Sequence, residues 1–365
     1  MSIRVLVVDD SAFMRRVISE AITAEPDMEV AGVATNGLDA LLKVERVQPD
    51  VVTLDVEMPE MDGLAALRHL MARYPRPVVM LSSLTQAGAA TTIRALTIGA
   101  VDFVAKPSGS ISLDFHRVRA ELVQKIRVAA TARVSGLGSR VSAIAAPPDR
   151  HPTPESRQPT PDTRHRSFDR LVVIGTSTGG PRALATVVPR LPLDGSTAYL
   201  VVQHMPAGFT RSLAERLDGL ARLSVREAAQ GDRLGADSVL VAPGDYHLRV
   251  TACGSIELDQ GPRVHGLRPA IDVTLASLVQ TFGRRAVVAI LTGMGQDGAE
   301  GAAAVRAAGG YIIAEDESSC VVWGMPRAVV ERGGADRVAP IDQVANAIAA
   351  AVGSDGGPAA RVGAG

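Results

Sequence analysis

Apolar runs and amphipathic stretches alternate in two series along the chain, with a polar, proline-rich interval between them. Over residues 3–127 the runs at 3–8, 29–34, 51–54, 78–81 and 101–104 read as strands, and the amphipathic segments between them as helices. A βα repeat with short connections predicts a doubly wound, five-stranded parallel sheet of flavodoxin-like type, its ligand site at the carboxyl ends of the strands. From Asp169 the alternation resumes, with strands near 171–174, 198–202, 238–241 and 286–291 and helices after Gly180, Gly208, Ile271 and Gly298. The segments 246–251 and 255–258 flank Cys253-Gly254 as a β-hairpin insert. This second series predicts a Rossmann-like α/β domain with a mostly parallel sheet. The predicted organisation is a domain over 1–128, a linker over 129–168, a second domain over 169–352 and a disordered tail over 353–365.

The interval 129–168 carries Pro147, Pro148, Pro152, Pro154, Pro159 and Pro161 among polar residues, which suits a tether rather than a core. Flexible chain of that length spans about 35 Å, so the flanking domains can touch at roughly millimolar effective concentration. The chain's 365 residues suit two domains, each able to bury a core. A formal charge of −1 argues against generic binding to nucleic acid, and an aromatic content of 3% leaves few platforms for stacking bases. There is no signal-peptide pattern and no apolar stretch long enough to span a bilayer, so the expectation is a cytoplasmic protein without membrane insertion, acting as a monomer. Cys253 and Cys320, the only cysteines, show neither metal-ligand spacing nor a disulfide framework.

Chemistry concentrates at the predicted strand ends. Asp9 and Asp10 end the first strand, Asp55 ends the third, Ser82 follows the fourth and Lys106-Pro107 the fifth. Converging carboxylates repel unless a cation joins them, and an oxygen-only set suits Mg²⁺. A carboxylate attacking a phosphoryl donor needs such a metal and an ammonium to neutralise the equatorial oxygens, and Lys106 supplies the second charge. In the second series, Gly175-Thr176-Ser177-Thr178-Gly179-Gly180 directly follows the run 171–174, which places a serine where a strand turns into a helix. The hexapeptide alone suits a nucleophile or a phosphate-binding turn equally. His204 lies just past the next central strand, and Asp297 sits in the turn that follows the run 286–291, either to orient His204 or to cap the next helix.

Over residues 3–127 the acidic pair, the aspartate, the serine and the Lys-Pro resemble the response-regulator receiver family. By position the resemblance implies Asp55 as phosphoacceptor, Asp9, Asp10 and Asp55 as Mg²⁺ ligands with the Glu57 carbonyl, Ser82 as switch hydroxyl, Phe103 as switch aromatic and Lys106 as the phosphate-binding lysine. Choosing Ser82 over Ser83 is a matter of alignment. Over about 169–350 the segments around Ser177, His204 and Asp297, with Arg268-Pro269-Ala270-Ile271-Asp272 and the stretch Ser319 to Pro326, resemble the catalytic domain of the chemotaxis receptor protein-glutamate methylesterases. That likeness implies a Ser177–His204–Asp297 triad, the Met294 N–H as oxyanion donor with Thr178 beside the nucleophile, and no cofactor for ester hydrolysis. It also implies methyl-accepting chemoreceptors as substrate, with glutamine deamidation in several members, a chemotaxis histidine kinase as phosphodonor, and relief of a receiver block on phosphorylation.

Two features depart from the family pattern: Thr176 stands before the serine where alanine is expected, and the linker is long and rich in proline. The competing reading is a receiver joined to a non-catalytic binding output, its glycine-rich turns serving as anion cradles. His247, His265 and Arg268 are read as exposed, and Met294 and Met325 as core filler.

Overall fold

The computed structural model of the protein describes residues 2–83, 85–106, 114–132 and 167–353. The first five apolar runs form β1 (Ile3–Val8), β2 (Met28–Ala34), β3 (Val51–Asp55), β4 (Val78–Ser82) and β5 (Asp102–Ala105), all parallel, in the order β2-β1-β3-β4-β5. Helices α1 (Ala12–Thr23), α2 (Gly37–Val47), α3 (Gly63–Arg73), α4 (Gln86–Ile98) and α5 (Asp114–Thr131) follow the strands in turn, which is why β3 and β4 are buried throughout. Ser11, Asn36, Asp62 and Thr85 start α1 to α4, each accepting a backbone N–H from the first turn. Gly63 opens α3 so close to the end of β3 that an added Cβ would fall 1.9 Å from the Asp55 carbonyl oxygen.

The second unit holds a seven-stranded sheet ordered β14-β13-β12-β6-β7-β9-β8. Its strands are β6 (Arg170–Thr176), β7 (Thr197–Gln203), β8 (Ser224–Glu227), β9 (Ser238–Val241), β12 (Ala286–Ile290), β13 (Tyr311–Glu315) and β14 (Arg337–Ala339). Every pairing in it is parallel, and the antiparallel pair is the insert β10 (His247–Val250) and β11 (Ile256–Asp259). The helices are α6 (Gly180–Val187), α7 (Phe209–Asp218), α8 (Ile271–Leu278), α9 (Ala299–Ala307), α10 (Met325–Glu331) and α11 (Ile341–Gly353). Three of these, α6, α7 and α9, start at Gly179, Gly208 and Gly298 with φ of 80°, 86° and 91° and no side-chain cap, so the turns before them stay short and bare.

β8, β13, β14, α10 and α11 were not among the predicted elements. β8 and β14 are edge strands of four and three residues, too short for a clear two-residue period. β5 starts one residue later than predicted, which puts Asp102 at its first position. The predicted linker and tail lie outside the described residues except at their margins, where α5 continues to Thr131 and α11 to Gly353. Among the described residues no helix is long and apolar enough to cross a membrane.

The two units touch. α4 lies against α6 and α7, and one apolar cluster runs from Ala89, Ile93 and Phe103 to Phe209 and Leu213. The Phe103 and Phe209 rings sit 4.4 Å apart between centroids. We expect Gly63→Ala to push α3 away from the Asp55 carbonyl and to lower receiver stability by about 1–3 kcal/mol. The readout is a lower urea midpoint at unchanged slope; an unchanged midpoint would contradict the close approach.

Candidate functional site

At the edge of the first sheet, Asp9 and Asp55 are buried and Asp10 is exposed. One oxygen from each carboxylate lies within 4.8 Å of the others. Lys106 Nζ stands 2.7 Å from Asp55 Oδ2 and 2.9 Å from Asp9 Oδ2. Burial pushes the Asp55 carboxyl up to about 6; Lys106 pulls against this and Asp9 adds to it. Burial works against the Lys106 ammonium, yet Asp55 and then Asp9 outweigh it and hold the group above its usual range. Three crowded carboxylates with one ammonium form a hard-oxygen set with negative charge to spare, which fits Mg²⁺. Glu57 borders it, its N–H 3.5 Å from Asp55 Oδ1 and its carboxylate accepting the Ser83 hydroxyl at 3.3 Å. Ser82 is turned toward α4: its hydroxyl donates to the Ser83 and Gly88 carbonyls and accepts from Thr92 at 2.6 Å.

In the second unit the parallel register sets Thr176 opposite Gln203, so Ser177 and His204 follow as neighbours on adjacent strands. His204 N–H donates to the Thr176 carbonyl at 3.1 Å, and the buried Gln203 amide donates to the Ser177 and His204 carbonyls at 3.0 and 3.1 Å. Strand β12, on the other side of β6, delivers Asp297. Its Oδ2 accepts His204 Nε2–H at 2.7 Å and Ile271 N–H at 2.6 Å, and its Oδ1 accepts Asp272 N–H at 3.0 Å. Burial acts to raise Asp297, but His204 and then the two backbone donors outweigh it and hold the carboxyl below its usual range. Asp297 therefore caps a helix as well as meeting His204, though the helix is α8 and not the one that follows it in sequence. The residue before α8, Ala270, offers no capping side chain of its own.

With Nε2 engaged by Asp297, the other ring nitrogen is Nδ1. It is buried and has no hydrogen-bond partner among the described residues. The Ser177 hydroxyl makes no hydrogen bond to them either, so the structure joins His204 to Asp297 and sets Ser177 alongside without closing the third link. Loosely made catalytic hydrogen bonds are common before substrate binds. The turn carrying Met294 lies against the serine: Ser177 N–H donates to the Thr292 carbonyl at 3.0 Å, and a Cβ on Gly293 would fall 2.8 Å from Ser177 Cβ. Among the described residues the Met294 N–H is unengaged.

The family model for CheB methylesterase matches residues 172–348, and that for the response regulator receiver domain matches residues 5–114. A protein-glutamate methylesterase/protein-glutamine glutaminase of Symbiobacterium thermophilum is 56% identical over 96% of this chain and 97% of its own length. One of Pyrococcus abyssi is 44% identical over 96% of this chain and 94% of its own. The chain belongs to the CheB methylesterase family. The crystal structure of the Thermotoga maritima CheB methylesterase catalytic domain, 44% identical, covers 49% of this chain and 96% of its own at a TM-score of 0.48. Membership in a receiver-regulated hydrolase family disfavours the non-catalytic output as a reading of the glycine-rich turns.

Several side chains differ from expectation. His247 is buried, with Nε2 3.0 Å from the Pro262 carbonyl, because its strand packs on α8. Arg268 is largely covered, held by Asp245 at 2.7 Å and by the Gln260 and Gly261 carbonyls. Met325 is core, whereas Met294 is exposed and its sulfur accepts from Gln124 of α5. Cys320 is buried and Cys253 exposed.

Sequence reasoning also passed over residues that support the turns. Glu315, buried at the end of β13, accepts Thr292 N–H at 2.8 Å, while the Thr292 hydroxyl donates to the Thr178 carbonyl at 3.0 Å. Asp102 of the receiver accepts the Thr178 hydroxyl at 2.6 Å. No motif marks these positions, since each works across a gap of more than twenty residues.

Asp297→Asn keeps the volume but gives the imidazole an amide able to present N–H, so we expect kcat to fall about 10⁴-fold through the wrong tautomer. Ester hydrolysis assayed on folded protein checks this, and a loss below tenfold would contradict the orienting role.

Proposed function

We propose that the protein hydrolyses the methyl esters of glutamate side chains on chemoreceptor cytoplasmic helices, and glutamine amides by the same route. The carrying observation is the His204 imidazole, held by Asp297 at 2.7 Å with an Nδ1 that has no partner among the described residues, at the strand end next to the one that leads into Ser177. Ser177 Oγ attacks the ester carbonyl as Nδ1 takes its proton. The Met294 N–H meets the oxyanion, a contact typically worth 10²–10³ in rate. The tetrahedral adduct collapses, Nδ1–H protonates the departing methanol, and water attacks the acyl-serine by the reverse proton path to release glutamate. An amide substrate gives ammonia in place of methanol.

Regulation follows from what lies over this site. Asp102 takes the hydroxyl of Thr178, next to Ser177; Phe103 packs on Phe209 at the start of α7; Gln124 reaches Met294; Val321 packs against the receiver core. Asp102 also pairs with Lys125 at 3.1 Å. In the resting state these contacts narrow access for a receptor helix. The histidine kinase's phosphoryl group goes to Asp55, with Asp9, Asp10, Asp55 and the Glu57 carbonyl as the groups that would hold Mg²⁺; the ion supplies neutralisation of the phosphoryl oxygens. Lys106 then shifts toward the phosphoryl, Ser82 gives up its α4 contacts for it, and β5 carries Asp102 and Phe103 away from the second unit.

Methanol release from methylated receptor membranes is the direct test. Ser177→Ala is expected to abolish release while receptor binding persists, and appearance of new peptide termini in place of methanol would mark a peptidase. For the switch, Asp55→Asn should lose stimulation by phosphodonor and Mg²⁺. Asp102→Ala should raise the unstimulated rate, since a hydrogen bond to a charged group contributes about 1.5–3 kcal/mol. Equal stimulation of Asp55→Asn and parent would overturn the switch.

A further inference from the structure

Beside Asp297 lies a second carboxyl that the hydrolytic chemistry leaves unused. Asp272 is the second residue of α8, and its backbone N–H donates to Asp297 Oδ1 at 3.0 Å. Its own Oδ1 accepts Gly301 N–H from α9 at 2.7 Å, and its Oδ2 lies 3.6 Å from His265 Nε2. One nitrogen or oxygen from each of His265, Asp272 and Asp297 lies within 4.8 Å of the others. Three N–H donors already occupy the Asp297 oxygens, so the trio is a charge network and not a metal nest.

We propose that Asp272, with His265 as its counter-charge, is a positioning residue for the hydrolytic site: its backbone holds Asp297, and its carboxylate sets how readily His204 takes up the serine proton. This rests on the reading of Ser177, His204 and Asp297 given above. A second negative charge next to Asp297 stabilises an imidazolium on its far side. Such an arrangement is costly, because burial and then the repulsion of Asp297 push the Asp272 carboxyl upward. His265, exposed and held at φ 53°, brings a protonatable ring to within 3.6 Å of Asp272 Oδ2, on a carboxyl that also meets the Gly298 N–H and the Asp297 side chain. The charged groups on the elements packed against α8 have partners elsewhere or are exposed: on β10, His247 is bound to the Pro262 carbonyl and the exposed Arg249 pairs with Asp259 at 3.0 Å; on α9, Arg306 pairs with Asp336 at 2.8 Å and Glu300 is exposed.

The two charges act in opposite senses, which gives the experiment its signature. The pH profile of kcat/KM for methanol release is measured on the full chain for the parent, Asp272→Asn and His265→Gln. Asn at 272 retains an acceptor for Gly301, so the fold contact survives. We expect its acid limb to move about half a unit to lower pH, because an imidazolium with one less negative neighbour is less favoured. His265→Gln replaces the ring facing Asp272 Oδ2 with a neutral amide and should move the limb upward, opposite in sign to Asp272→Asn. Superimposable profiles for Asp272→Asn and parent, with equal thermal midpoints, would overturn the proposal, as would shifts of the same sign in both variants. A parent that releases no methanol would instead overturn the hydrolase reading itself.

Discussion

One buried carboxylate organises the second unit. Asp297 is 2% exposed and accepts three N–H groups, one from an imidazole and two from the start of α8. An anion removed from water is tolerated only when fully hydrogen-bonded, so the site cannot loosen at one donor without strain at the others. The helix start gains the cap it lacks, the imidazole gains a fixed tautomer, and the turn after β12 is pinned over the β6–β7 edge. Catalytic geometry and local stability thus rest on the same oxygens.

The two units are coupled through β5. Its first residues, Asp102 and Phe103, touch Thr178 and Phe209, and Lys106, just after it, holds Asp9 and Asp55. Lys125 braces the near end, pairing with Asp102, donating to the Phe103 carbonyl and lying 5.0 Å from the Phe103 ring centroid. This short strand thus joins the Asp9–Asp55–Lys106 cluster at one end to the face against Thr178 and Phe209 at the other.

Much of this was legible in the chain, for physical reasons that differ by residue. Buried parallel strands need continuous Val, Leu and Ile, so β1, β3, β4, β6, β7 and β12 announced themselves, and a site at the carboxyl edge followed from their order. Ser177 and His204 drew attention as candidates because each stands directly beyond such a strand, and Asp297 because it sits in the glycine-rich turn that follows β12. Glu315, Gln203 and Asp272 did not, since a buried polar side chain is recognised by its partner and the partner lies far away in sequence. Asp102 was hidden for a further reason: its partner Thr178 belongs to the other domain. His247 was misjudged because the hairpin that carries it looked like a surface insert, whereas β10 packs its inner face on α8.

Magnitudes decide how firmly the receiver holds the second unit. The Thr178–Asp102 bond contributes about 1.5–3 kcal/mol and the Phe103–Phe209 pair about 0.5–1.5 kcal/mol beyond its buried area. Moving an equilibrium from one part in a hundred to ninety-nine takes about 5.5 kcal/mol of differential stabilisation. Together these two contacts supply about 2–4.5 kcal/mol, which on its own falls short of that bias. The apolar contact of α4 with α6 and α7 adds to these two and is non-directional. The proposed switch therefore needs the other contacts between the units, Gln124 with Met294 and Val321 with the receiver core, to change as well.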